Sequence, residues 1–82
     1  MAYEIEYNTE ARRDLRKLSP EVARRVIEKI NRMTEGLTGD VKRLRNFSPE
    51  YRLRVGDWRV LFAIEGNTIV IHHVSHRSQA YD

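Results

Sequence analysis

Three arginines lie within the ten residues "YRLRVGDWRV" (51–60), and their spacing sets the first chemical question. If Gly56 and Asp57 form a two-residue turn, Val55 faces Trp58 and Arg54 faces Arg59, with Arg52 two positions along on the same side. Like charges set opposite each other on a sheet repel. Strand alternation puts Tyr51, Leu53, Val55, Trp58, Val60, Phe62 and Ile64 on one face. It leaves Arg52, Arg54 and Arg59 on the other, beside Leu61 and Ala63, with no acidic residue expected among them. Guanidinium stays charged and presents a fork of donors matched to phosphate oxygens, so this grouping suits a phosphodiester better than a merely solvated strand face.

A second group capable of chemistry is "IHHVSHR" (71–77). With a two-residue turn in the preceding hairpin, Val70, His72 and Val74 join the arginine face, and His73 falls on the core side. His76 is expected just past the strand end, where it or His72 can exchange a proton near neutral pH. Neighbouring His72 and His73 point to opposite faces, which does not build a zinc site. Glycine-rich phosphate loops, nucleophile elbows and catalytic carboxylate pairs are absent from the sequence, so neither a cofactor nor a metal is expected. Leu61, Val70 and Val74 on the arginine face would leave an apolar patch for a partner protein.

The elements that must position these groups follow from the spacing of apolar residues. "AYEIEY" alternates, with Tyr3, Ile5 and Tyr7 to one side. Asn8 or Thr9 then caps a helix through "TEARRDLRKL", whose Ala11, Leu15 and Leu18 share a face. Ser19 and Pro20 start a second helix, whose stripe is Val22, Ala23, Val26, Ile27, Ile30 and Met33, and Gly36 ends it. The basic residues between these stripes read as solvated helix faces, neutralised by pairs such as Asp14 with Lys17 and Glu21 with Arg24 or Arg25. After "EGLTGD" the chain becomes strand-like. "VKRLRNF" predicts a short edge strand, Ser48 and Pro49 a break, and "EYRLRV", "DWRVLFAI" and "NTIVIHHVS" three strands joined by tight turns. The order predicts an α+β fold: an N-terminal strand, a two-helix hairpin, and a three- to four-stranded antiparallel sheet with both helices on one face.

Eighty-two residues, 40% of them apolar, fit one domain spanning 1–82 with a single modest core. The chain lacks cysteine, its longest apolar run is far too short to span a membrane, and its acidic start is unlike a signal peptide, so a cytoplasmic protein without a membrane partner is expected. Residues 1–40 carry eight basic and eight acidic side chains, whereas 41–82 carry seven basic against four acidic, so the whole net charge of +3 sits in the second half. A polyanion such as nucleic acid is steered there.

"KRLRN", then "YRLRVGDWRVLFAI", then "IHHVSHRSQAYD" together resemble the RelE branch of the RelE/ParE toxin superfamily of prokaryotic toxin–antitoxin systems. The similarity runs over essentially the whole chain, and the closing "HR-x-x-x-Y" favours RelE-like over ParE-like members. The resemblance implies a RelE-like, microbial-RNase-like fold and a ribosome-dependent endoribonuclease that cuts mRNA in the ribosomal A site, inhibits translation, and is held in check by a cognate antitoxin. It implies catalytic roles for Arg52, Arg54, Arg59, Arg77 and Tyr81, with Arg59 on the phosphate and Tyr81 on the substrate base. It also implies RNA contacts from Lys42, Arg43 and Arg45. The best-known member has lysines where this chain has Arg52 and Arg54. Arginine does not give up its proton, so a general-base role does not transfer, and proton transfer falls to His72, His76, Tyr81 or groups of the ribosome and solvent. The same fold also supports a ParE-like DNA gyrase inhibitor without nuclease activity, or an inactive binding relative.

Overall fold

A computed structural model describes residues 2–79. Strand β1 (Glu4–Tyr7) leads into helices α1 (Thr9–Arg16) and α2 (Pro20–Arg32), followed by β2 (Asp40–Arg43), β3 (Tyr51–Val55), β4 (Trp58–Glu65) and β5 (Thr68–His76). Both helix starts use the expected residues. Asn8 Oδ1 accepts the Ala11 N–H at 2.9 Å, and Ser19 Oγ accepts the Val22 N–H at 3.3 Å ahead of Pro20. A 3₁₀ turn at Met33–Glu35 extends α2 before Gly36, whose φ of 141° ends it.

The strands form one sheet in the order β1-β5-β4-β3-β2. β1 pairs with β5 in parallel and the other pairs are antiparallel, so the sheet is mixed rather than antiparallel throughout. The reason lies in the connection: two helices separate β1 from the later strands, a link long enough for a parallel return, whereas all but one of the links among the later strands are hairpin turns. At both hairpins, Gly56 (φ 59°) and Gly66 (φ 62°) occupy the first central position with positive φ, the pattern that follows the sheet's own twist.

Both helices lie on one face. Ala11, Val26, Ile30 and Met33 meet Leu53, Val55, Val60, Phe62, Ile69, Ile71 and Val74 in a single core. Burying a side chain such as Phe62 or Ile30 completely contributes about 1.5–3 kcal/mol. Of the expected α2 stripe, Val26, Ile30 and Met33 are in the core and Val22 packs against it, whereas Ala23 is half-buried outside it and Ile27 is 37% exposed. Next to Val26 on a helix it is turned too far round to reach the sheet. The expected "VKRLRNF" strand is shorter and begins earlier, at Asp40.

A β-bulge in β5 changes the face assignment of its second half. Pairing with β4 runs in step from Glu65 and Thr68 to Phe62 and Ile71, then resumes with Leu61 opposite His73, so His72 is one extra residue. Beyond it the faces exchange. Val74, expected beside the arginines, is in the helix-side core, and His73, expected inward, shares the register of Leu61. β5 also runs past the end of β1, and α1 covers the open edge. The Asn8 N–H donates to the Ile71 carbonyl at 3.1 Å, and the Val74 N–H donates to Asp14 Oδ2 at 3.0 Å.

Candidate functional site

The face turned away from the helices carries two cross-strand rows. One runs Asp40, Arg54, Arg59, Ser75 and the next Lys42, Arg52, Leu61, His73. The sequence-derived facing of Arg54 and Arg59 is therefore correct, and Lys42 joins them from β2. The expectation of a face without acid is not. Asp40 ends the first row, its Oδ2 accepting from Arg54 Nε at 2.7 Å and its Oδ1 lying 3.8 Å from Arg52 Nη2. One carboxylate thus serves two guanidinium groups and relieves the repulsion between the strands.

The three arginines differ in setting. Arg52 and Arg59 are only 8% and 5% exposed, so they are not solvated strand residues, whereas the Arg54 side chain is 55% exposed. Arg59 Nη1 donates to the carbonyls of Gly56 at 3.0 Å and Trp58 at 3.1 Å, which ties its guanidinium to the β3–β4 turn. Donors held in this way are fixed before an anion arrives, so little reorganisation opposes binding. The apolar patch expected beside them is closed: Leu61 and Val70 are 6% and 9% exposed, and Val74 has gone to the core.

The remaining candidates are dispersed. Arg77 follows β5, its N–H donating to the Asp57 carbonyl at 2.7 Å and its Nε 3.8 Å from the Asp57 carboxylate, which pins this end of the chain to the β3–β4 turn. His76 is the last residue of β5 rather than beyond it, since its pairing with Trp58 extends the strand. Its ring meets the Trp58 indole edge to face at 5.3 Å, with Nδ1 3.0 Å from Ser78 Oγ. His72 sits in the bulge with Nε2 buried and without a hydrogen-bond partner among the described residues. His73, for which no chemical role is expected, lies 3.6 Å from Glu10 and 3.7 Å from Asp14 on α1. Arg43 is paired with Glu50 at 3.5 Å, and Arg45 is exposed in the loop that follows β2. Tyr81 lies outside the described residues. Among the described residues no group of three or more His, Cys, Asp or Glu side chains is placed to hold a metal ion. Nor is any helix among them long and apolar enough to cross a membrane.

Residues 5–81 match the family model described as the ParE toxin of the type II toxin–antitoxin system parDE. Toxin RelG of Mycobacterium tuberculosis is 34% identical over 85 residues, covering 99% of this chain and 98% of that protein. The chain belongs to the RelE/ParE toxin superfamily. Toxin RelE3 of Methanocaldococcus jannaschii is 37% identical over 43 residues, a match that takes in 52% of this chain and 49% of RelE3. Among solved structures, the toxin–antitoxin complex RelBE2 of M. tuberculosis contains a chain with TM-score 0.80 and 32% identity, covering 94% of this chain and all of that one. Like other RelE/ParE toxins it is a toxin of type II systems, and the mixed sheet under a helix hairpin is the architecture it shares with those structures.

Proposed function

We infer that this RelE/ParE toxin is a ribosome-dependent endoribonuclease that cleaves mRNA in the A site and is neutralised by a cognate antitoxin. The observation that carries the reading is the cationic row itself: Arg54 and Arg59 opposed, Arg52 and Lys42 in the adjoining row, and two of the three arginines buried and anchored. In the reaction a ribose 2′-hydroxyl attacks the adjacent phosphorus, a 2′,3′-cyclic phosphate forms, and the 5′-oxygen of the next nucleotide leaves. Charge builds on the non-bridging oxygens in the transition state, and fixed guanidinium donors stabilise it more than the ground state. Arg52, Arg54 and Arg59 supply that charge, and Arg77, tied to the β3–β4 turn, and Tyr81 complete the catalytic set. Lys42, Arg43 and Arg45 hold RNA along β2 and its following loop. The arginines do not accept the 2′-hydroxyl proton; that step belongs to His72, His76, Tyr81 or a group of the ribosome, and single variants separate these by their pH–rate profiles. The antitoxin is supported by the RelBE2 likeness, since that structure is a toxin–antitoxin complex.

The test is induction of the toxin in growing cells with mapping of mRNA ends. New ends within translated codons that vanish in Arg59→Ala support the reading, and growth arrest with intact messages overturns it. The match to a ParE model favours DNA gyrase inhibition as the second reading. Loss of supercoiling by purified gyrase, without message cleavage, would select it.

A further inference from the structure

A cleft of about 600 Å³ opens on the helix side of the sheet, between α2 and the start of β2, bounded at its far end by the β3–β4 turn. Its wall on α2 is formed by Arg25, Lys29 and Arg32. These stand at i, i+4 and i+7, so they share one face along about 10 Å of helix. Its floor is the buried, apolar pair Leu53 and Val55, and its mouth reaches Arg54 of the cationic row.

The charge balance inside the cleft decides what it suits. Of the two acidic residues that line it, Asp40 is held at 2.7 Å by Arg54 at the mouth of the cleft, and Asp57 faces Arg77, outside the lining, at 3.8 Å. Arg25, Lys29 and Arg32 form no ion pair with any described residue. Glu21, expected to pair with Arg24 or Arg25, forms no ion pair among the described residues. The three cations of α2, with Arg54 at the mouth, therefore outnumber the two acids that line the cleft and flank an apolar floor that weakens screening on that side.

We propose that this cleft holds a stretch of RNA phosphate backbone, so that RNA bound on the arginine face continues past Arg54 and onto α2. The inference rests on the nuclease reading above in taking RNA as the polyanion. The regular spacing of these cations along one helix face fits the repeat of a phosphate chain, whose charges such a row neutralises one after another. The RNA can be the message or the RNA of the ribosome; the chemistry recognised is the same.

The triple variant Arg25→Gln, Lys29→Gln, Arg32→Gln tests it, with thermal melting to show that the fold is kept and the single variants as substitutes if it is not. Binding of a fluorescein-labelled single-stranded RNA is measured across a range of NaCl concentrations. The dependence of log affinity on log salt should become shallower by roughly 2, about 0.7 for each phosphate no longer neutralised, and affinity should fall roughly tenfold or more at physiological salt. Ribosomes with and without mRNA separate the two sources: weakening on both assigns the cleft to ribosomal RNA, weakening only on programmed ribosomes assigns it to the message, and either supports the proposal. Unchanged affinity and salt slope on all three RNAs overturn it, as does a loss confined to binding a partner protein. Because naked-RNA binding needs no cleavage, a toxin that fails to cut mRNA defeats the nuclease reading without deciding this one. A toxin that cuts while the triple variant binds RNA normally defeats this one alone.

Discussion

At the scale of single residues, Asp40 is the group whose role is least expected, an acid within the cationic row proposed to bind phosphate. It holds Arg54 at 2.7 Å and approaches Arg52, and it subtracts one charge from the site. Those two effects oppose each other in RNA binding and reinforce each other in positioning. Asp40→Asn should therefore tighten binding of single-stranded RNA while slowing mRNA cleavage roughly tenfold or more, because misaimed donors lose transition-state stabilisation before they lose affinity. A fall in binding together with rate would show that Asp40 acts only by holding the fold. Arg59→Ala should reduce cleavage by about 10²–10³, the usual loss for one preorganised donor. Arg59→Lys should recover little of it, since an ammonium does not reproduce the fork now tied to the Gly56 and Trp58 carbonyls.

At the scale of elements, α1 does for β5 what a sixth strand would otherwise do, and Asp14 is the residue through which it does so. Asp14→Ala leaves the Val74 N–H without its acceptor and should lower stability by about 1–3 kcal/mol in denaturant titration, with Asp14→Asn recovering part of the loss. The same hydrogen bond, made across 60 residues of chain, marks how far the sequence can be read. Helix starts at Asn8 and Ser19, the Gly56 and Gly66 turns, and the facing of Arg54 and Arg59 all depend on neighbours within a few residues, and each is legible. Strict alternation puts Val74 and His73 on the wrong faces because an inserted residue at His72 breaks the two-residue period without any local sign. Asp40 escapes notice for a related reason. Its partner is fixed by the register between β2 and β3, and the loop between those strands is too long to set that register from sequence.

At the scale of the whole molecule, charge and pH act on stability through different groups. Burial raises the Tyr7 phenol above its ordinary 10.0. Above that pH the unfolded chain releases a proton that the folded chain keeps, so stability falls as pH rises beyond 10. Tyr7→Phe should flatten this alkaline limb and leave the melting temperature at neutral pH equal or higher, because the buried hydroxyl has no hydrogen-bond partner among the described residues to lose. The cationic face and the α2 cleft make a different forecast: phosphate should raise the melting temperature more than chloride at equal ionic strength, by binding the native state rather than by screening alone. The parallel seat of β1 against β5 bears on how such a protein is made. The strand between β1 and β4 is the last described element in chain order, so during synthesis the sheet has a gap until residues 68–76 emerge. The β3–β4 hairpin that carries the arginines can form earlier, yet its apolar side lacks Ile69, Ile71 and Val74 until then. The backing of the cationic hairpin is thus completed only once β5 has emerged, which makes the arginine face the last part of the described fold to be secured.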